Sequence, residues 1–413
     1  NVDCSLSFKR KDIYVVMKSK SMRFRWLSNL KTWVVNNLCC VVKKKNNRRK
    51  QRCENLESGI EFQCVVETSV SAIKVNTIIP ADLQSPRHAD SETGMAKLML
   101  DDLCNISPLG VGGFGRVILV QEKNNTSKTY ALKILNKQQI VAMGDQDQVV
   151  NEKDIMSELK SDFIVRLYKT FKDDDYLYFL MEPCLGGELW TLINEEKGLS
   201  HKAAKFYTAC ITEALIFMHS KGIIHRDLKL ENVLLDSRGY AKLIDFGFAK
   251  KVGPGAKAQT MCGTAHYTAP EMILNKGHDT AADIWSLGVI VFAMLSGSSL
   301  FADKDDDDFK TYENIMAGID VVVFPNEIKR IAEDFIRKLC RSNPTNRLSA
   351  QEIPKHRWFE KFRWEGLRKN TMKPPFIPKI TSPVDTRNFD VDDLPEEKIY
   401  SRTTSVSSWD PDF

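Results

Sequence analysis

Residues 225–247 read HRDLKLENVLLDSRGYAKLIDFG, the most strongly patterned stretch of the 413-residue chain. Its polar first part, residues 225–232, precedes the apolar segment 233–235. Its Asp-Phe-Gly end, residues 245–247, directly follows an apolar Leu-Ile pair. An Ala-Pro-Glu group at residues 269–271 closes the loop that starts there. Polar side chains next to short apolar segments are typical of functional residues that a rigid scaffold holds in place.

A glycine-rich stretch lies upstream, where residues 109–117 read LGVGGFGRV and contain the pattern G-x-G-x-x-G-x-V. Glycines let backbone N–H groups come close to phosphate oxygens because no Cβ stands in the way. A dinucleotide-binding fingerprint has the same spacing, but it opens a helix. Here residues 116–120 continue as an apolar strand, so the pattern favours a hairpin that covers phosphate groups.

Two charged residues between these motifs have both an ordinary and a functional interpretation. Lys133 lies inside the apolar strand-like segment 130–134, and Glu152 lies in the helical pattern 149–159. Taken alone, such a lysine usually faces solvent from an edge strand and such a glutamate lies on a solvated helix face. Their order between the glycine-rich stretch and residues 225–247 favours the functional interpretation.

In this order the motifs resemble the signature of the protein kinases. The resemblance covers residues 101–413 and implies an α+β, two-lobed fold. It implies a small, mostly β N-lobe at about 101–184, a larger helical C-lobe at about 185–359, and a C-terminal tail, 360–413, that wraps the N-lobe. Residues 1–100 are predicted to be a basic arm and linker with no recognised domain.

The resemblance implies transfer of the ATP γ-phosphate to protein Ser/Thr hydroxyls. Asp227 would orient the substrate hydroxyl, Lys229 would neutralise the γ-phosphate, and Lys133, oriented by Glu152, would hold the α/β-phosphates. Asn232 and Asp245 would hold Mg²⁺, because a hard cation prefers oxygen ligands. The catalytic residues implied by the resemblance are Asp227, Lys229, Asn232, Asp245, Lys133 and Glu152.

The resemblance also implies a nucleotide pocket. The adenine would lie between apolar side chains of the two lobes, beside a gatekeeper and a hinge that offers backbone hydrogen bonds. The residues implied for ATP are Leu109, Gly110, Val111, Gly112, Gly113, Phe114, Gly115, Arg116, Val117, Ala131, Lys133, Met181, Glu182, Cys184, Leu234 and Phe389.

A regulatory threonine and three structural residues follow from the same resemblance. Thr260 occupies the position of an activating phosphothreonine, and its phosphate would pair with Arg226 and Lys250. Such charge-assisted pairs order a loop. The structural residues are a buried ion pair of Glu271 with Arg347, and Asp283 as a brace of the catalytic loop.

Longer stretches narrow the resemblance to the cyclic-nucleotide-dependent group, and within it to the catalytic region of cGMP-dependent protein kinases. These stretches are residues 185–191, 275–279, 362–368 and 409–413. In the tail, Phe389 matches a residue that reaches over the nucleotide. Trp409 and Phe413 match a terminal hydrophobic motif that docks on the small lobe.

Substrate recognition shows departures from that group. Glu188 and Glu231 remain as acidic contacts for a basic substrate, and Thr264 fits the serine/threonine type. However, Ala293 stands where relatives carry a glutamate, and residues 265–266 are Ala-His instead of Pro-Glu. We therefore expect basic substrates, with a weakened preference for several basic residues.

Composition excludes several classes of protein. With 43% apolar and 27% charged residues, the chain is neither wholly disordered nor collagen-like. It contains no run of about 18 apolar residues, so no transmembrane helix is expected. Ten cysteines are too sparse for a disulfide framework and favour thiols in a reducing compartment, so we expect a cytoplasmic location. An acidic run at residues 303–308 is predicted to be a solvated loop and not a metal site.

The N-terminal arm is strongly basic. Residues 1–53 hold 15 lysines and arginines against two acidic residues, although the whole chain has a net charge of +5. Its basic segment 43–52 fits four alternatives: peripheral contact with an anionic membrane, aided by lipidation of Cys39 or Cys40; a pseudosubstrate in the acidic cleft; a nuclear or nucleic-acid patch; or a solvated arm with no partner.

No cyclic-nucleotide site is predicted in this chain. Residues 1–100 contain neither the Phe-Gly-Glu nor the following Arg-(Ser/Thr)-Ala that the resemblance requires for such a module. The first residue is Asn1 and not Met. Three explanations stay open: modules upstream of a truncated start, loss of the modules, or a faulty N-terminal gene model.

Two other functions stay open beside the kinase. One is a catalytically weak, kinase-like scaffold tethered by its basic arm, and the other is a small-molecule phosphotransferase on the same fold. The intact Lys133, Asp227 and Asp245 count against the scaffold. Thr264 and the regulatory Thr260 count against the small-molecule enzyme.

Overall fold

The computed structural model describes residues 4–9, 12–17 and 95–413, with gaps at 96, 113–114, 304–306, 390–408 and 412. Two short strands near the start, β1 (Cys4–Lys9) and β2 (Asp12–Met17), form a two-stranded sheet of their own. The predicted basic segment 43–52 and a strand-like stretch at 65–79 lie outside the described residues.

The small lobe is built on a five-stranded antiparallel sheet with strand order β3-β4-β5-β7-β6. Strand β5 is central, so its residue Lys133 cannot be the edge-strand lysine of the ordinary interpretation. The strands continue from the glycine-rich stretch, as predicted. They are β3 (Leu103–Gly112), β4 (Gly115–Glu122), β5 (Asn125–Asn136), β6 (Leu167–Lys172) and β7 (Tyr176–Met181).

Two helices follow strand β5 in the chain, α1 (Lys137–Met143) and α2 (Gln146–Glu158). Helix α1 begins where the Asn136 side chain accepts hydrogen bonds from the next turn, and it ends at Gly144, whose φ of 73° suits glycine. Helix α2 buries one stripe of side chains because they recur at helical spacing. That stripe consists of Val149, Glu152, Ile155 and Met156.

The large lobe is mainly helical. Its two longest helices, His201–Ser220 and Ala281–Ser296, are buried along most of their length. Its helices are α3 (Leu189–Glu196), α4 (His201–Ser220), α5 (Pro270–Ile273), α6 (Ala281–Ser296), α7 (Asp308–Ala317), α8 (Arg330–Leu339) and α9 (Trp364–Arg368).

Two short antiparallel strand pairs lie in the large lobe, beside the segments that contain predicted site residues. Strands β9 (Val233–Leu235) and β10 (Ala241–Leu243) form one, and β8 (Ile223–Ile224) and β11 (Lys250–Lys251) form the other. The polar groups at 225–232 and 245–247 stand directly before β9 and after β10. Because β9 and β10 are antiparallel, the start of β9 lies beside the end of β10, and this brings the two polar groups together.

The apolar core runs from helix α2 through the large lobe, and a second apolar cluster lies on the small-lobe sheet. The second cluster includes Leu98, with Met95 packed against it. These residues precede the boundary predicted at 101, so the small lobe takes in the end of the predicted linker. Burial of apolar side chains is the main favourable contribution to the stability of both lobes.

The tail follows the large lobe before it reaches the small one. Helix α9 packs on α4, where Arg368 pairs with the buried Glu213 at 2.8 Å. Farther along, the Asn388 side chain donates to the Leu185 carbonyl at 2.9 Å. Contact with the small lobe comes through a Thr386–Ser107 hydrogen bond and through residues 409–413.

Three sequence predictions about other features have a structural outcome. The last residue of the acidic run 303–308, Asp308, begins helix α7. The Asp307 side chain caps this helix by accepting from the Phe309 N–H at 2.8 Å. In the described part of the chain, no helix is long and apolar enough to cross a membrane. The cysteines of residues 95–413 are free thiols: Cys104, Cys184, Cys210, Cys262 and Cys340.

Candidate active site

A lysine–glutamate pair joins the sheet to helix α2. Lys133 Nζ donates to Glu152 Oε1 at 2.6 Å and lies 5.6 Å from the centroid of the Phe179 ring. Burial opposes the lysine's charge, but the carboxylates of Glu152 and Asp245 outweigh it, so the pKa of Lys133 is raised. The lysine therefore stays cationic, and the described residues accept only one hydrogen bond from its ammonium group.

The loop before β9 gathers a second polar group. Asp227 is 5% exposed and accepts from Thr264 Oγ1 at 2.8 Å, while Lys229 Nζ lies 2.9 Å from its other oxygen. Lys229 also donates to Thr264 Oγ1 at 3.1 Å. Asn232 Nδ2 donates to the Asp227 carbonyl at 2.9 Å, which leaves the Asn232 amide oxygen turned away as an acceptor.

Asp245 stands at the end of β10 with a φ of 58°, a conformation that non-glycine residues rarely adopt. Its Oδ1 accepts from the Gly247 N–H at 3.3 Å. Burial raises its pKa, but Lys133, the Gly247 N–H, His225 and Lys229 outweigh burial, so the pKa is lowered. A strained, ionised carboxylate next to a lysine is a typical functional residue.

The buried carboxylate of Asp283 accepts hydrogen bonds from the main chain of the loop that contains Asp227, as the resemblance implied. It is 1% exposed and accepts from the backbone N–H groups of His225 and Arg226, both at 3.0 Å. His219 Nε2 lies 2.8 Å from the same carboxylate. These bonds fix the loop main chain, including Arg226, whose φ is 68°.

The glycine-rich strands and several residues that the resemblance implies for the adenine are neighbours in the small-lobe sheet. Val117 lies opposite Lys133 across the β4–β5 ladder, and Ala131 lies opposite Met181 across the β5–β7 ladder. A Cβ at Gly115 would overlap the carbonyl oxygen of Ile134, so only glycine fits there. The hairpin leaves Val111 exposed, and the predicted residues Gly113 and Phe114 lie outside the described part. The remaining predicted residues of β3 and β4 lie on the same hairpin: Leu109, Gly110, Gly112 and Arg116.

The hinge residue Glu182 is held on both sides. Its N–H donates to the Arg166 carbonyl at 2.9 Å, and its carboxylate lies 3.0 Å from Lys242 Nζ. Among the described residues, neither the Glu182 carbonyl oxygen nor the Cys184 N–H has a main-chain partner. The family resemblance implied the backbone of these two residues for the adenine, without naming the atoms. The role of Lys242 was not predicted; a lysine inside the apolar segment 241–244 was the available signal.

Two acidic residues stand at the side of the cleft. Glu188 immediately precedes α3 and forms a main-chain β-bridge with Leu234, the residue that the resemblance implies for the floor of the adenine site. Burial and the neighbouring Glu231 raise the pKa of Glu188, although Lys229 opposes them. Mutual repulsion of two carboxylates indicates a place for a cation. By contrast, Ala293 is 6% exposed inside α6 and offers no charge.

The loop after Asp245 carries the predicted phosphorylation residue. Thr260 is exposed, whereas the Arg226 Nη1 atom is buried and has no hydrogen-bond partner among the described residues. Lys250 lies opposite Ile224 in the β11–β8 ladder, two positions from Arg226. Residues 265–267 form a short 3-10 helix in which Ala265 is buried.

The two predicted tail contacts differ in what the structure shows. Phe413 meets Phe179 edge to face at 5.2 Å, and Phe179 also underlies Lys133. The Lys153 ammonium lies 5.5 Å from the Phe413 ring, on the helix that carries Glu152. Phe389 is half-buried beside the hinge segment, and its N–H donates to the Thr386 carbonyl at 2.9 Å.

Comparisons with known proteins agree with this geometry. Residues 104–359 match the protein kinase domain. The chain is 50% identical over 319 residues to the Drosophila melanogaster "cGMP-dependent protein kinase, isozyme 2 forms cD5/T2", which covers 76% of this chain and 34% of that protein. It is 48% identical over 313 residues to human "cGMP-dependent protein kinase 2", covering 75% of this chain and 40% of that protein.

A third relative, the Caenorhabditis briggsae "cGMP-dependent protein kinase egl-4", is 45% identical over 334 residues. The alignment covers 78% of this chain and 43% of that protein. The chain therefore spans about a third to two fifths of the length of these relatives, in each case with the kinase motifs inside the matched region.

Proposed function

The chain belongs to the protein kinase family, and we propose that it is a serine/threonine protein kinase of the cGMP-dependent type. It would transfer the γ-phosphate of ATP to a protein hydroxyl. The observation that carries the proposal is that Lys133, Asp227 and Asp245 lie in one connected set of charges. Lys133 and Lys229 both lower the pKa of Asp245, Lys133 is bound to Glu152, and Lys229 is bound to Asp227. Such transfer depends mainly on positioning and on charge neutralisation.

The nucleotide phosphates would lie between the glycine-rich hairpin and Lys133. Since the described residues use only one donor of the lysine, its other N–H groups are free for phosphate oxygens. Glu152 would keep the ammonium pointed into the cleft. The adenine would use the unpaired hinge groups of Glu182 and Cys184, between Ala131 and Leu234, with Phe389 beside the hinge.

Asp245 and Asn232 fit a magnesium ion. Asp245 supplies an ionised carboxylate, and the Asn232 amide oxygen is left free because its nitrogen is used by Asp227. Mg²⁺ is usually held by one or two protein oxygens together with substrate phosphates. When bound, the ion would neutralise charge on the phosphates.

The substrate hydroxyl would lie against Asp227. Thr264 donates to one carboxylate oxygen and Lys229 binds the other, so the carboxylate is fixed in direction before a substrate arrives. Asp227 would take the hydroxyl proton as the new O–P bond forms and the bond from the γ-phosphorus to the β–γ bridging oxygen breaks, so that ADP leaves. Lys229, whose ammonium lies 2.9 Å from the Asp227 carboxylate, would offset the negative charge on the transferred phosphoryl group.

The acidic pair Glu188 and Glu231 supports basic protein substrates. A cation placed between the two carboxylates would relieve the repulsion that raises the pKa of Glu188. Phosphate on Thr260 would meet the unpaired Arg226 Nη1 and Lys250, which would order the loop next to Asp227. We retain contact of residues 43–52 with an anionic membrane or with this acidic cleft as a further proposal.

The test is phosphate transfer from ATP–Mg²⁺ to a basic serine peptide by the full chain, with and without cGMP. Asp227→Asn should lower the rate by about 10²–10⁴-fold, because a positioned base contributes that much. The matched control is Asp320→Asn, which removes an exposed carboxylate paired with Arg341 and should leave the rate unchanged.

Transfer that does not depend on Asp227 would contradict the proposed mechanism. Absence of transfer, with Thr260 phosphorylated and ATP bound, would favour the kinase-like scaffold. A transfer rate that rises with cGMP would show that cGMP activates the chain. An equal rate with and without cGMP would show a kinase that is constitutive or regulated in another way.

A further inference from the structure

A buried lysine with one acidic partner lies beneath the hinge. The Lys242 side chain is 5% exposed, and its ammonium lies 3.0 Å from each carboxylate oxygen of Glu182. Taking two charges out of water is costly, and an apolar pair of the same size would often be at least as stable. Stability alone therefore does not account for an ion pair here.

The position of Lys242 connects three parts of the nucleotide site. It lies opposite Leu234 in the β9–β10 ladder, so the two side chains share a face of that ladder. Leu234 is the predicted adenine floor. Three residues after Lys242 the chain reaches Asp245, the predicted metal ligand. Lys242 is thus anchored in the large lobe next to both groups.

Glu182 belongs to the segment that leaves the small lobe. Its N–H is tied to the Arg166 carbonyl at 2.9 Å, and the Arg166 N–H approaches its Oε2 at 3.4 Å. With its N–H bound to the Arg166 carbonyl and its carboxylate bound to Lys242, Glu182 is anchored both to the segment before β6 and to β10, which limits movement of this hinge residue. In the described part of the chain that carbonyl has no main-chain partner.

We propose that Lys242 is a positioning residue for the nucleotide. By holding the Glu182 carboxylate it fixes the position of the hinge residue whose carbonyl would accept from the adenine amino group, and so it sets the affinity for ATP without touching the phosphates. The inference rests on the proposed function, because it needs adenine at the hinge. It predicts that the pair acts on adenine binding and not on the transfer step.

The first test is Lys242→Met in the full chain, with ATP as the varied substrate. The KM for ATP should rise about tenfold, as expected when one hydrogen-bond acceptor loses its alignment, while kcat stays within about twofold. Lys242→Arg keeps the charge and should recover most of the affinity. The matched control is Arg368→Met, which also strips a cation from a buried carboxylate, Glu213, and should leave the KM for ATP unchanged.

The second test separates positioning from general damage. Adenosine and inorganic tripolyphosphate are used as competitors of ATP, since each fills one half of the site. Lys242→Met should weaken adenosine about tenfold and leave tripolyphosphate unchanged, because only adenosine uses the hinge. Glu182→Gln is nearly isosteric with the wild-type side chain and should give the same discrimination if Lys242→Met folds poorly.

Each outcome decides between the proposals. If the wild-type chain neither binds ATP nor transfers phosphate, the proposed function fails. If the wild-type chain works and Lys242→Met has the wild-type KM for ATP, only the role of Lys242 is overturned. Equal weakening of adenosine and tripolyphosphate would also overturn it, because that pattern reports a distorted lobe instead of a turned hinge carbonyl.

Discussion

The catalytic cleft and the base of the large lobe each contain a buried ion pair, and the two pairs are built differently. In the cleft, Lys133 makes one hydrogen bond of 2.6 Å to Glu152. At the base, Arg347 makes two bonds to Glu271, of 2.6 and 2.7 Å, and also donates to the Ala281 and Arg341 carbonyls. With a further contact to the Ser342 carbonyl, the donors of the Arg347 guanidinium are all used, whereas those of the Lys133 ammonium are not.

The difference shows what each pair can do. A saturated, bidentate guanidinium resists movement and has no donor left for a ligand, so it fixes the loop that Glu271 closes. A lysine with spare donors, beside the ionised Asp245, can accept phosphate oxygens without first breaking its bond to Glu152. Matched changes in the two pairs should therefore affect different properties.

The largest effect is expected at the base. Glu271→Gln keeps the shape but leaves the Arg347 charge uncompensated at a side chain that is fully buried. The free energy of unfolding should fall by about 3–5 kcal/mol, as for other buried pairs that lose one partner. Urea unfolding measures it. The phosphate-transfer rate per folded molecule should stay the same. A large loss of that rate would show that the Glu271–Arg347 pair also supports catalysis.

The same substitution in the cleft should do the reverse. Glu152→Gln removes the orienting charge from Lys133, and the transfer rate should fall about 10²-fold because the ammonium is misplaced by about an ångström. The unfolding free energy should change little, because burial already disfavours the Glu152 charge by raising its pKa, and Asp245 still compensates Lys133. A drop in stability as large as that of Glu271→Gln would show that the two pairs are equivalent.

A smaller effect is expected at a histidine between the two regions. His278 is 2% exposed; burial and then the Arg226 guanidinium lower its pKa from 6.5 to about 4, although Asp283, Glu271 and Asp279 oppose the shift. The folded state therefore favours neutral His278, and the unfolded state gains the proton first. Stability from this residue is complete above pH 6.5 and is lost as the pH falls toward 4.

The loss should amount to about 2–3 kcal/mol between pH 7.5 and pH 4. It is measured by urea unfolding at several pH values in the wild type and in His278→Gln, and the difference between the two curves isolates this residue from other titrating groups. Parallel curves would show that His278 is not held neutral between the cleft and the base.

The sequence predicted most of the candidate site because the motifs are local. Asp227, Lys229 and Asn232 lie within six residues, and a short loop before β9 brings them together. The glycine-rich hairpin was predictable for the same reason: the strand after Gly115 is apolar and β-branched, and the pairing of β3 with β4 needs only a tight turn.

The long-range contacts were less predictable from residue patterns. Lys133 in an apolar strand has an ordinary interpretation, and only the sheet order, with β5 in the centre, places it against Glu152. Without the family resemblance this pair would have been missed. The Lys242–Glu182 pair was missed, because 60 residues separate its members and nothing in either local pattern names the partner.

From the sequence alone, hydrophobic periodicity and short motifs, which are properties of neighbouring residues, indicated local elements and candidate residues, and the family resemblance implied the two lobes and the roles of those residues. Only the tertiary structure decided which charges meet, how saturated each ion pair is and which hinge groups stay free. Those properties depend on the distances and burial that arise when strands and helices far apart in the chain are packed together, and electrostatic energies follow distance and burial instead of sequence order.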